Sequence, residues 1–331
     1  MKLRSLEAGR GIAATAVVLH HANISANDFA GQGPQALTSI FGLGYLGVDF
    51  FFVLSGFIIY YSTYGKISDP KRFAISRLTR VFLPYLPIGI ALAAAYTLLP
   101  ALSASDREWG WWATLTLLPS WQPPALGVAW TLQHELVFYM LFAVFLVLNR
   151  IGAGMILWAL TICLIALLGL DVPRPAQFVF SLVNLEFGIG VLAAHFLISG
   201  IRIPYLPFLA IAPIAAFFLF GAHREYSLLF GTGLAGFILW TAQAESVGRV
   251  TVPRAFVFLG AASYSIYLIH NPLLSVTSRI ASGWTFALIL GVVVSLLLGC
   301  AYYLIWDKST QQFFRRKLHT TKPRPSREKS M

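Results

Sequence analysis

Between residues 8 and 306 the chain is a succession of apolar stretches, each 16 to 24 residues long, separated by short polar breaks. Ten can be drawn: 8–26, 45–64, 81–100, 129–148, 153–170, 178–199, 205–221, 227–242, 255–271 and 283–306. A helix rises 1.5 Å per residue and a hydrocarbon core is about 30 Å thick, so runs of this length suit membrane-spanning helices. No soluble globular domain needs 57% hydrophobic residues, 11% charged residues and a mean hydropathy of +0.72. The expected fold is therefore all-α: a polytopic integral membrane bundle of about ten transmembrane helices over residues 1–306. A basic tail, 307–331, ends in KPRPSREKSM and is expected to be disordered and drawn to anionic lipid heads.

Charge sets the expected orientation. With ten spans both termini lie on one side, and that side then carries twenty of the 24 basic residues, leaving Arg107, Arg174, Arg224 and Arg279 opposite. The positive-inside rule places the N- and C-termini in the cytoplasm, in a bacterial inner membrane. The net charge of +11 is thus a topological signal, and nucleic acid is not an expected partner. Cys163 and Cys300 fall inside apolar runs, read as small buried hydrophobes, and no Cys/His spacing resembles a zinc site. Lys2 and Arg4 before an apolar run faintly resemble a secretory leader, but Glu7 and Arg10 interrupt the region where its core would begin. The first stretch is taken as retained.

Two GxGxxG patterns, Gly42–Gly47 and Gly231–Gly236, follow no strand and open no βαβ unit, so a dinucleotide site is rejected in favour of close helix packing. The loop 101–128 carries Trp109, Trp111, Trp112 and Trp121 and is expected to lie along the outer headgroups. A sharper reading has these rings stacking on sugars.

Ionisable residues inside apolar runs are functional candidates, since they are costly in lipid. In the first stretch Arg10 and His21 stand eleven residues apart, close to three helical turns, so they share a face about 16 Å apart along the axis. His20 is rotated away by about 80°. GVDFFFVLSGF places Asp49 near the outer end of the second stretch. Arg77 and Arg80, in RFAISRLTR, share a face at the inner surface if that segment is helical, and paired guanidiniums can clamp phosphates. Taken alone they also fit ordinary positive-inside anchoring. AWTLQHELVFY stacks Glu135 and Tyr139 at i, i+4; Glu186 stands about two turns into the sixth stretch; SYSIYLIH brings Tyr264, Tyr267 and His270. The set is sorted by sign: arginines inward, acids and imidazoles outward.

These motifs resemble the membrane-bound acyltransferase-3 family. The resemblance rests on Arg10-x10-His21, GVDFFFVLSGF, RLTR followed by Pro84, WTLxxE with FY from Trp130 to Tyr139, and SYSIYLIH, in that order from residue 3 to about 272. The opening LRSLEAGRGIAA is most similar to the subgroup that acetylates bacterial exopolysaccharide. Thr131 stands where the family commonly has serine and keeps the hydroxyl.

The resemblance implies an O-acyltransferase that uses cytoplasmic acyl-CoA, most often acetyl-CoA, as co-substrate, with no permanently bound cofactor or metal. The acceptor would be a hydroxyl of a polysaccharide or lipid-linked oligosaccharide outside the cell. Arg77 and Arg80 would hold CoA phosphates, with Arg10 near the donor path. His21 would be the base or the covalent carrier, with Asp49 or Glu135 orienting it. Trp130, Tyr139, Glu186, Tyr267 and His270 are the candidate acceptor-site residues. The competing expectations are a proton-coupled transporter, whose relay uses the same residue types, and an acyltransferase acting on a lipid or small molecule.

Overall fold

The computed structural model describes residues 3–65, 69–99 and 108–320. These form helices and contain no strand. In chain order they are α1 (Arg4–Phe29), α2 (Gln35–Gly42), α3 (Gly47–Thr63), α4 (Pro70–Leu98), α5 (Trp111–Thr116), α6 (Trp130–Val147), α7 (Ile151–Leu167), α8 (Arg174–Phe180), α9 (Leu185–Ile198), α10 (Leu206–Leu219), α11 (Ser227–Ser246), α12 (Arg254–Ile280), α13 (Trp284–Tyr302) and α14 (Lys308–Thr320). Each of the ten apolar stretches holds one helix of the bundle. Seven segments among the described residues are long and apolar enough to cross a membrane. α7 and α10 are apolar but shorter, and α1 is long but carries Arg4, Glu7, Arg10, two histidines and Asp28. The chain is a multi-pass membrane protein. Lys2, Lys66, Arg107 and the KPRPSREKSM terminus, all counted in the charge argument, lie outside the described residues.

Short connections do give hairpins, as between α10 and α11 or α12 and α13, yet the most extensive contacts join α1 to α12 and α3 to α9. Glycine explains this. A Cβ on Gly260 of α12 would fall on the Glu7 carbonyl of α1, and one on Gly11 of α1 would meet the Gly260 nitrogen. The same close approach joins Gly56 of α3 and Gly190 of α9 to the partner's backbone, at Phe187 and Val53. In membranes helices associate through such van der Waals fit, so small residues select which helices meet. Both GxGxxG runs serve it: Gly44 and Gly47 lie on the Ala16 and Ala13 carbonyls, while Gly233 and Gly236 pack on Ala210.

α4 starts ahead of its apolar stretch. Asp69 caps it by accepting from the Lys71 N–H at 2.9 Å, with Pro70 in the first turn, so Arg77 and Arg80 sit one turn apart on a helix. Pro84 and Pro87 interrupt α4, and lacking N–H groups they orphan the carbonyls four residues back, those of Arg80 and Leu83. The donors come from the far end of the chain. Trp306 Nε1 donates to the Leu83 carbonyl at 2.9 Å, and Gln311 Nε2 to that of Arg80 at 3.2 Å. They reach it because α13 continues through a π-turn, Tyr303–Asp307, into α14. The tail expected to be disordered from residue 307 therefore begins as a helix strapped to α4.

The strap is testable by a double-mutant cycle. Trp306→Phe removes the indole N–H together with the five-membered ring and leaves a carbonyl unsatisfied in apolar surroundings, the carbonyl alone costing about 1–3 kcal/mol. Pro87→Ala restores a backbone N–H to that carbonyl and is expected to recover most of the loss, read as the thermal midpoint in nanodiscs. Additive midpoints would show that the indole is not the proline's substitute.

Elsewhere expectation and structure differ in small ways. Cys163 is exposed, beside outward-facing Leu157, Leu160 and Leu164 of α7, because that helix turns most of its surface outward. In the tryptophan loop Trp112 and Trp121 are about two-thirds exposed, whereas Trp109 packs against Tyr96 and Trp111. Tyr85, fully buried on α4, ties this loop down by donating to the Thr114 carbonyl at 2.9 Å.

Candidate active site

A cavity of about 490 Å³ opens between α1, α3, α4, α6 and α12. At the end where α1 begins it is lined by Arg10, Arg77 and Arg80. Arg77 is held by an Nη2 bond to Ser62 Oγ at 2.8 Å and stacks over Phe73, while Arg10 Nε donates to Ser263 Oγ at 3.2 Å. Asp307, buried and hydrogen-bonded to Ser265 at 3.0 Å, lies within electrostatic reach of Arg80 and Arg10. Three guanidiniums around one opening can clamp a phosphate-bearing ligand.

Deeper in, Glu135 accepts from Ser55 Oγ at 3.1 Å and from the Tyr139 hydroxyl one turn away. Tyr264 is anchored on the Val81 carbonyl at 3.0 Å. The cavity ends at Phe51, Thr131 and Tyr267. Tyr267 is pinned there: its hydroxyl lies 2.9 Å from Thr131 Oγ1 and 3.0 Å from the Val128 carbonyl, which Thr131 also reaches at 3.0 Å. Phe51 meets Tyr267 edge to face with ring centroids 6.3 Å apart, held by packing alone. The two rings form a partition.

Beyond it stand the imidazoles. The His270 ring lies 5.4 Å from that of Tyr267 and 5.0 Å from that of His21. His21 makes hydrogen bonds to His270, Nδ1 to Nε2 at 3.2 Å, and to the Val17 carbonyl at 3.0 Å. Neither Asp49 nor Glu135 bonds to it, contrary to the expectation that one of these acids orients the ring. Glu135 is engaged by Ser55 and Tyr139. Asp49, buried on α3, faces Glu186 of α9, itself fully buried beside Ser227. The Gly11–Gly260 contact, by seating α12 against α1, places His270 at His21.

The expected site residues thus fall into three groups. Arg10, Arg77, Arg80, Glu135, Tyr139 and Tyr267 line one cavity. His21 and His270 form a pair behind its far wall. Asp49 and Glu186 form a second pair, and between the groups Trp130 packs on Phe52 and His134. Several residues escaped the sequence reading. Arg224, counted only as a charge opposite the basic side, lies over the Trp130 ring at 5.1 Å and the Tyr45 ring at 6.0 Å. Phe51, Ser55 and Ser263 fall inside the GVDFFFVLSGF and SYSIYLIH motifs but were not singled out there, and the prolines Pro84 and Pro87 carried an unread signal that α4 needs donors from elsewhere.

Chemically, this is a chamber lined by hydroxyls and carboxylates with cations at one end, and the imidazoles and the buried acid pair stand apart from it, behind its wall. A family model described as an acyltransferase domain matches residues 3–305. The chain is also 30% identical, over 295 residues, to the "Exopolysaccharide production protein ExoZ" of Rhizobium meliloti (strain 1021), covering 81% of this chain and 90% of that protein. No solved structure gives a significant match. Matched across nearly its whole length, the chain belongs to the acyltransferase-3 family.

Proposed function

We propose that this membrane acyltransferase takes an acyl group, acetyl, from cytoplasmic acyl-CoA and delivers it to a carbohydrate hydroxyl on the other side of the inner membrane. The acceptor is exopolysaccharide or its lipid-linked precursor, in keeping with the name of the similar Rhizobium protein. The observation that carries the reading is the cavity itself: about 490 Å³, ringed by arginines at one end and stopping one aromatic layer short of a histidine pair. In this reading the arginine end, with both termini, faces the cytoplasm, as the bias of basic residues toward one side supports.

The chemistry asked of the site is modest. The acceptor hydroxyl gives its proton to His21, its oxygen bonds to the thioester carbonyl carbon, and the C–S bond breaks to release CoA thiolate. Arg77 and Arg80 hold the phosphates of CoA, so its long arm enters thioester first along Ser55, Glu135 and Tyr139. Asp49, Glu186, Trp130 and Arg224 belong to the acceptor's end. The partition must open for transfer, and Phe51 is the leaf that turns, since Tyr267 is tied by its hydroxyl.

Purified protein in nanodiscs, given acetyl-CoA and polysaccharide, is expected to release CoA in step with acetyl esters on the polymer. In proteoliposomes, solute flux without CoA release would favour a transporter instead. Mass spectrometry of surface polysaccharide from cells with and without the gene gives the acceptor. Phe51→Ala is expected to raise acceptor-independent hydrolysis of acetyl-CoA several-fold, because water reaches the thioester. Phe51→Trp should lower transfer and leave acetyl-CoA binding unchanged. Equal hydrolysis by wild type and Phe51→Ala would show that this ring does not separate the two compartments.

A further inference from the structure

Two carbonyl groups fix where the protons of the histidine pair reside. A backbone carbonyl only accepts, so a ring nitrogen bonded to one must carry hydrogen. His270 Nδ1 lies 2.6 Å from the Tyr267 carbonyl and is therefore the protonated nitrogen of its ring. Its Nε2 is then the lone-pair nitrogen, and this atom faces His21 Nδ1 at 3.2 Å. His21 Nδ1 in turn lies 3.0 Å from the Val17 carbonyl, so it too carries hydrogen, shared between that oxygen and His270 Nε2. The opposite arrangement, a proton on His270 Nε2, would aim the His21 Nδ1 lone pair at the Val17 oxygen. One assignment satisfies all three contacts, and it leaves His21 Nε2 bare. Among the described residues Nε2 makes no hydrogen bond, and the His21 ring is only half-buried, whereas His270 is fully enclosed.

We infer that His270 is a positioning residue: as a buried hydrogen-bond acceptor it holds the Nδ1 proton of His21, keeping Nε2 free to take the proton of the acceptor hydroxyl. This replaces a place for His270 among the acceptor-binding residues, and it rests on the proposed role of His21 as general base. When Nε2 gains its proton the ring becomes an imidazolium, and both Nδ1 acceptors then bind a charged donor, which strengthens the bond as the transition state forms. In a serine protease triad a carboxylate occupies that position. Here a neutral imidazole, itself anchored to a carbonyl, does so, while Glu135 is engaged by Ser55 and Tyr139 and Asp49 lies against Glu186.

The test exploits side-chain geometry. Glutamine reaches as far as Nε2 of histidine and presents an acceptor oxygen there; asparagine reaches only to Nδ1, and leucine fills space without any acceptor. His270→Leu and His270→Asn are expected to lower kcat about 10- to 100-fold, less than the 10²–10⁴ that a general base itself supplies, with KM for acetyl-CoA unchanged. His270→Gln should recover most of kcat. Nitrogen NMR of the wild-type full-length chain in nanodiscs, labelled at its histidines, should show His21 and His270 neutral, each protonated at Nδ1. That readout does not depend on any variant folding. Full activity in His270→Leu, a glutamine no better than leucine, or a His21 ring protonated at Nε2 would each overturn the inference. If His21→Ala retains full transfer, the general-base reading itself falls; if His21→Ala is inactive and His270→Leu is not, only the role of His270 does.

Discussion

His21→Ala is expected to abolish acetyl transfer, lowering kcat by about 10²–10⁴-fold, the usual contribution of a positioned general base. The protein should remain in the membrane at normal abundance. The neighbours through which α1 packs, Val17, Val18 and Ala22, are each fully buried and untouched by the change, and His21 is only half-buried. Acetyl-CoA binding should also persist, because Arg10 lies about 16 Å away along the same helix, roughly half the hydrocarbon thickness, and Arg77 and Arg80 line the cavity with it from α4. The two roles open to the imidazole separate in a single turnover without acceptor. A base releases no CoA until a hydroxyl is present. A covalent carrier releases one equivalent and leaves an acetylated ring. Normal acetylation by His21→Ala would remove this residue from the mechanism and leave the cavity without its proposed reacting end.

The bundle and most of its site could be read from residue spacing, because the signals are local. Apolar runs near 20 residues locate helices; Arg10 and His21 share a face by helical period; Glu135 and Tyr139, four apart, meet as that period requires. What could not be read is which helix meets which. The Gly11–Gly260 contact joins residues far apart in the chain, and neither glycine differs in sequence from those that merely line an interface. From that one contact follows the partner of His21. A carboxylate is the ordinary guess for an imidazole's neighbour, but the seating of α12 on α1 supplies His270, and the seating of α9 on α3 diverts Asp49 to Glu186. The tail misled for a different reason. Its composition is that of a disordered segment, yet its Gln311, with Trp306 just ahead of it, answers vacancies that Pro84 and Pro87 create more than 200 residues earlier. Composition describes a segment's own preferences and is blind to unsatisfied groups elsewhere.

Arg77→Ala and Arg80→Ala are each expected to weaken acetyl-CoA binding by about 10- to 100-fold, corresponding to about 1.5–3 kcal/mol for a charge-assisted hydrogen bond. At saturating donor kcat should change little, since the phosphates lie far from the bond being broken and contribute equally to ground and transition states. Lysine substitutions keep the charge but lose the planar fork, so they should recover only part of the affinity. Arg77 is the better prepared of the two, already fixed by Ser62 Oγ at 2.8 Å, and Ser62→Ala should therefore produce a milder version of the same loss. The donor itself allows a further cut. Acetyl-dephospho-CoA lacks the 3′-phosphate; the arginine that binds this group should lose nothing more when mutated and assayed with the truncated donor, while the other should lose its full increment. Binding constants that are insensitive to both substitutions would reduce the pair to ordinary anchoring of α4 at the inner surface, and the cavity's cationic mouth would need another ligand.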